Sequence, residues 1–106
     1  MRGDIHRLRP AQRRGHQQKG ARYAVVLQSD DLAALSTVIV APTSASARPA
    51  VFRPAITLGG SQTRVLLEQV SAVDKETELG AFAGRLTASE MAQIDELLHY
   101  VLGMVT

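Results

Sequence analysis

Residues 15–44, GHQQKGARYAVVLQSDDLAALSTVIVAPTS, decide the fold of this chain. A polar, glycine-bounded loop leads into residues 23–28 (YAVVLQ), a continuous apolar run rich in β-branched side chains, as in a strand buried on both faces. Ser29 is placed to N-cap a brief helical turn over residues 30–35 (DDLAAL), whose two aspartates suit a positive helix end. Residues 37–41 (TVIVA) predict the next strand, with Pro42 as its stop. The stretch thus carries one guanidinium, Arg22, to the mouth of a strand and two hydroxyls, Thr43 and Ser44, to the end of another. Loops on a rigid scaffold present ligand-binding groups in this way. An arginine with a hydroxyl suits a phosphate.

Upstream, residues 2–9 (RGDIHRLR) read as a short first strand running into Pro10, and residues 11–21 as a loop with two glycines and no large apolar side chain. Downstream, residues 43–49 form a loop of small residues. Residues 50–58 (AVFRPAITL) predict an edge strand, because Pro54 cannot donate to a ladder. Residues 59–61 (GGS) make a turn and residues 63–67 (TRVLL) another strand. Residues 68–80 read as a strand end or a short helical turn closed by Gly80, and residues 81–86 as the last strand. The clearest element is a helix over residues 87–102. Thr87 and Glu90 form a T-x-x-E capping box, Met91, Ile94, Leu97, Leu98, Val101 and Leu102 form one stripe, and Gly103 ends it.

Five or six short strands with small turns lack the crossover helices of a doubly wound α/β sheet. They predict a mainly β fold with α (α+β), a strongly twisted antiparallel sheet partly closed as a small barrel and covered by the C-terminal amphipathic helix. The 106 residues fit one domain, residues 1–106, with 45% hydrophobic and 21% charged side chains, a globular composition. Zero cysteines exclude disulfides and thiolate zinc sites, and His6, His16 and His99 have no metal-ligand spacing. Neither a metal nor another cofactor is expected. No apolar run reaches the roughly 20 residues that span a bilayer, which predicts a cytosolic protein without membrane contact.

The net charge of +2 conceals a polarity. Residues 1–22 hold seven Lys or Arg against Asp4, a local balance of +6, whereas residues 67–106 hold seven carboxylates against Lys75 and Arg85, a balance of −5. A basic arm of this density attracts polyanions by counterion release, or it is a solvated N-terminus.

Several pieces, in order and with compatible spacing, carry a resemblance to a known family. They are Arg2-Gly3-Asp4-Ile5, Gly15-His16-Gln17-Gln18, Gly20-Ala21-Arg22 before an apolar strand, Val40-Ala41-Pro42-Thr43-Ser44, Leu67-Glu68-Gln69-Val70 with Val73-Asp74-Lys75, and the capped helix. Over nearly its whole length the chain resembles the MazF/PemK toxins of bacterial toxin–antitoxin modules. Tyr23 stands where that family has proline after its arginine, and Gln17 where it commonly has glutamate. The resemblance implies an SH3-like barrel, a homodimer, a cognate MazE-like antitoxin and metal-independent cutting of single-stranded RNA, whether mRNA, tRNA or rRNA. The expected antitoxin contact is an acidic, partly disordered segment complementary to the +6 arm.

Cleavage by 2′-hydroxyl attack needs a base, a cation for the charged phosphorane and an acid for the leaving oxygen. Arg22 is the candidate cation, since its planar fork matches phosphate oxygens. Ser44 takes the place of the family's catalytic threonine, and Thr43 competes for the role. His16, with an ordinary pKa of about 6.5, is either a proton-transfer group or a plain loop histidine. Gln17, Gln18 and Lys19 suit base edges, and Arg13 and Arg14 suit phosphates. Glu68 and Gln69 either line the groove or, for Glu68, pair with an arginine of the basic arm. Two further readings are a non-catalytic toxin that poisons gyrase, as the related CcdB family does, and an SH3-like module that binds RNA without cutting it.

Overall fold

The computed structural model describes residues 1–9 and 22–104. Seven strands, β1 (Asp4–Leu8), β2 (Arg22–Val26), β3 (Thr37–Ser44), β4 (Ala55–Leu58), β5 (Ser61–Val65), β6 (Ser71–Asp74) and β7 (Leu79–Arg85), are followed by one helix, α1 (Ala88–Val101). Every pairing is antiparallel, in the order β4-β5-β3-β2-β1-β7 with β6 also on β3. The mainly β architecture with a C-terminal helix agrees with the sequence expectation. No helix among the described residues is long and apolar enough to cross a membrane.

Residues 22–26 form a strand between two apolar clusters, as the continuous YAVVLQ run predicts. Val25 packs with Ile5, Leu27, Ala41, Ile56, Val65, Leu67, Leu86 and Ile94 beneath α1. Ala24 and Val26 face the other way, against Val38 and Val40, with Leu8, Val73 and Leu79 at their margin. Ala24 and Val25 are both fully buried. The strand stops before Leu27 and Gln28, whose backbone N–H groups both donate to the Ile39 carbonyl. The Gln28 side chain takes over the pairing by accepting from the Ile39 N–H and donating to the Leu32 carbonyl. Beside it, Ser29 caps the 3₁₀ turn Asp30–Leu32 through the Asp31 N–H.

Pro42 does not end β3, contrary to expectation. It lies opposite Ala24 on β2, and its carbonyl accepts from the Leu66 N–H on the other side. On that side β3 changes partner, from β6 at Thr37–Val40 to β5 at Thr43 and Ser44. The missing proline donor falls at the changeover, where no ladder bond is forfeited. Around Pro54 the expected edge strand shortens to β4, which stays an edge as predicted. Gly59 and Gly60, with φ of 60° and 83°, supply the two left-handed positions that join β4 to β5.

The strand count exceeds the expectation because residues 68–80 fold otherwise than read. After a 3₁₀ turn at Leu67–Gln69, β6 pairs with β3, residues 75–78 reverse the chain, and Gly80 sits inside β7 instead of closing a turn. A Cβ at Gly80 would stand 2.7 Å from the Arg7 carbonyl oxygen, so the irregular β1–β7 register admits glycine there. The helix matches its prediction except at Leu102, which is its exposed C-cap and not part of the buried stripe; the Thr87 side chain accepts from the Glu90 N–H at 3.1 Å, and Glu90 accepts from the Thr87 N–H at 2.9 Å.

Asp4, a buried carboxylate, ties β1 to β7. It accepts from Arg85 Nε at 2.8 Å and from the Met1 ammonium at 3.2 Å. Burial pushes its pKa up, but these hydrogen bonds and charges outweigh burial and hold the carboxyl below its ordinary value. A depressed folded pKa adds stability above the unfolded value of about 3.9 and loses it as pH falls through the folded value. The urea midpoint of the native chain is therefore expected to fall more steeply from about pH 5 to about pH 2 than that of Asp4→Asn. Parallel pH profiles for the two proteins would contradict this role.

Candidate functional site

Strand alternation sorts the candidate residues. Tyr23 and Val25 of β2 point into the core beneath α1, while Ala24 and Val26 point to the second cluster. Arg22 shares the parity of Ala24, and Ser44 shares the parity of Pro42, the partner of Ala24. Both lie two residues beyond that pair, so the exposed Arg22 and the half-buried Ser44 occupy one sheet face across β2 and β3. Thr43 has the opposite parity. It lies opposite Val65, a fully buried core residue, and its hydroxyl donates to the Tyr23 carbonyl at 3.4 Å. Of the two neighbouring hydroxyls, Ser44 stands with Arg22, and its Oγ lies 3.4 Å from Ser46 Oγ.

The β3–β5 register adds an arginine that sequence reasoning missed. Arg64 of β5 lies directly opposite Ser44, while its neighbours Thr63 and Val65 are buried. The three adjacent strands β5, β3 and β2 thus bring Arg64, Ser44 and Arg22 to one face. The alternation T-R-V shows that Arg64 points away from the core. Its register against a strand 20 residues upstream is not written in any local pattern.

Glu68 sits in the 3₁₀ turn Leu67–Gln69 that follows β5 and has an arginine partner, though not one from the described part of the basic arm. Arg53 donates to Glu68 Oε2 from Nε at 2.9 Å and from Nη2 at 2.6 Å, and from Nη1 to the Arg48 carbonyl at 3.2 Å. Burial raises the Glu68 pKa, but the Arg53 hydrogen bonds, a backbone N–H and the Arg53 charge hold the carboxyl below its usual range. The backbone of Arg53 is engaged as well, because its carbonyl accepts from Arg64 Nη1 at 2.9 Å. Gln69 is exposed in the same turn as Glu68.

Arg13, Arg14, His16, Gln17, Gln18 and Lys19 lie outside the described residues. Part of the basic arm is engaged internally, since Arg2 pairs with Asp95 on α1 at 2.6 Å and donates to the Leu27 carbonyl. Among the described residues no three His, Asp or Glu side chains gather into a potential metal-binding group. A pocket of about 90 Å³ at the far end of β2, bordered by His6, Gln28, Asp30 and Lys75, is separate from the arginine–serine row.

Comparison with known proteins bears on this arrangement. The family model for the PemK-like, MazF-like toxin of type II toxin–antitoxin system matches residues 1–102. The chain is 36% identical over 105 residues, 98% of each chain, to Rv3098A of Mycobacterium tuberculosis (strain ATCC 25618 / H37Rv), a toxin by designation. Among solved structures, an endoribonuclease in complex with its cognate antitoxin, from a mycobacterial species, matches with a TM-score of 0.81 at 19% identity, covering 100% of this chain and 97% of that one. MazF from Deinococcus radiodurans matches with a TM-score of 0.78 at 22% identity, covering 97% and 96%.

The Arg53–Glu68 pair is two-pronged and three-quarters shielded from solvent, with side-chain exposures of 25% and 28%. A double-mutant cycle with Arg53→Ala and Glu68→Ala is expected to give a coupling of about 1 kcal/mol in chemical denaturation, the upper range for ion pairs near the surface. A coupling near zero would show that the two side chains act independently.

Proposed function

This chain belongs to the PemK-like, MazF-like toxins of type II toxin–antitoxin systems, and from that premise we propose that it is an endoribonuclease that cuts single-stranded RNA without a metal. The observation that carries the reading is the placement of Arg22 and Ser44 on one face, with the equally half-buried Thr43 on the opposite face and its hydroxyl on the Tyr23 carbonyl.

In the proposed reaction the 2′-oxygen of one nucleotide attacks its own 3′-phosphorus. The P–O5′ bond breaks, leaving a 2′,3′-cyclic phosphate and a 5′-hydroxyl. Negative charge builds on the non-bridging oxygens as the phosphorane forms. The Arg22 guanidinium stabilises that charge with two parallel N–H donors. The Ser44 hydroxyl donates a further hydrogen bond to a phosphate oxygen, the kind of donor whose contribution grows with developing charge. Proton transfer falls to groups within residues 10–21, where His16 carries an imidazole, the side chain suited to acid–base work, and Gln17 has no titratable group. Arg13, Arg14, Gln17, Gln18 and Lys19 then supply phosphate and base contacts to unpaired RNA. The active form in this reading is a homodimer in the cytosol, held in check by a MazE-like antitoxin with an acidic segment.

Incubation with a mixed RNA in EDTA, followed by mapping of new 5′-hydroxyl ends, tests the proposal. The native chain is expected to cut at a limited set of sequences. Arg22→Ala and Ser44→Ala are each expected to lose roughly 100-fold or more in rate, the scale for removing one charge-stabilising donor. Thr43→Val should stay within a few-fold of the native rate. Uncut RNA would sink the nuclease reading. Full activity in Ser44→Ala with loss in Thr43→Val would reverse the assignment of the hydroxyl.

A further inference from the structure

We propose that Arg64 is a second phosphate-binding residue of this site, holding the RNA phosphate next to the scissile one on the opposite side of Ser44 from Arg22. The inference rests on the reading of Arg22 and Ser44 as the point where RNA is cut, and extends it to a residue that reading does not use.

The placement comes from the ladder. Arg64 is the direct cross-strand partner of Ser44, and Arg22 lies one strand further on the other side. Two strand spacings, about 9.5 Å, separate the backbones of the two arginines. With Ser44 midway between them, such a spread suits two successive charges of a polyanionic chain better than two forks on a single phosphate.

The charge of Arg64 is left available. None of the four ion pairs among the described residues includes it. The carboxylate that reaches this corner, Glu68, is engaged by Arg53 through two N–H groups on one oxygen. Of the guanidinium's five N–H donors, one is given to the Arg53 carbonyl, which orients the fork and leaves the others for a ligand. Arg64 is half-buried, so its stem is already packed and less side-chain freedom remains to be lost on binding. Glu68 and Arg53 become positioning residues in this scheme. Their pairing holds the backbone to which Arg64 is tethered and withholds the carboxylate from Arg64.

The test measures affinity against salt for a single-stranded RNA carrying 2′-O-methyl groups, which binds without being cut. Each phosphate contact on a single strand contributes about 0.7 to the slope of log K against log salt. Arg64→Gln is expected to bind several-fold more weakly at low salt and to flatten the slope by about 0.7, whereas Arg64→Lys keeps the native slope. Lys75→Gln, at the opposite end of β3, removes a charge away from the site and should leave the slope unchanged. Thermal midpoints accompany each variant. Where Gln lowers the midpoint, Arg64→Met, which preserves the packed stem, replaces it.

An unchanged slope in a folded Arg64→Gln overturns the role of Arg64 while leaving the nuclease reading in place. Native protein that binds this RNA but never cuts ordinary RNA overturns the nuclease reading, and the slope difference still decides Arg64. Native protein that does not bind RNA at all overturns both.

Discussion

The register of β3 is the constraint on which the candidate site depends. This strand pairs with β2 along one edge and with β6 and then β5 along the other. Its side chains alternate between two apolar clusters, Val38 and Val40 on one face and Ala41 on the other. A slip of one residue would carry the whole set to the wrong face, turning Ser44 into the core and Thr43 out beside Arg22. Ala24 and Val25 of β2 are packed on opposite faces, and Val40 and Ala41 on β3 are buried on opposite faces too, so such a slip would misplace buried side chains on both strands. Core packing thereby determines which hydroxyl is presented, although neither hydroxyl belongs to the core.

Electrostatics then divides the arginines into structural and available ones. Arg2 is held by Asp95, Arg85 by Asp4 and Arg53 by Glu68. The +6 balance of residues 1–22 therefore overstates the charge offered to a ligand, since Arg2 spends its guanidinium on joining the N-terminal turn to α1. Arg22 and Arg64 take part in none of these pairs and stand on either side of Ser44. With Arg53 and Arg85 held by carboxylates on neighbouring elements, Arg22 and Arg64 on one face contribute positive potential there, and binding at such a patch weakens as salt rises.

The elements legible in the sequence were those whose signals are local. The capping box at Thr87 and Glu90, the stripe of α1, the doubly buried run of β2 and the Ser29 cap all depend on residues within a few positions of one another. The misreadings arose where a distant partner overrides a local rule. Pro42 reads as a strand stop until the changeover from β6 to β5 removes the demand for its N–H. Gly80 reads as a turn until Arg7 comes to lie against it, and the largely exposed β6 has no alternation to announce it. The candidate site divides along the same line. Arg22, Thr43 and Ser44 were visible as residue types next to apolar strands. That Ser44 and not Thr43 shares a face with Arg22, and that Arg64 lies opposite Ser44, depends on a register that only the folded sheet supplies.

Whether Arg22, Ser44 and Arg64 hold RNA together is read directly by an NMR titration of the 15N-labelled protein with 2′-O-methyl RNA, following the arginine Nε–Hε signals and the backbone amides of β3. The side-chain signals of Arg22 and Arg64 are expected to shift together as RNA is added, with the amide of Ser44 among the moving backbone signals and the Arg53 side chain, locked on Glu68, staying in place. Movement of Arg53 with Arg64 unchanged, or shifts confined to residues away from the β5-β3-β2 face, would contradict this joint binding.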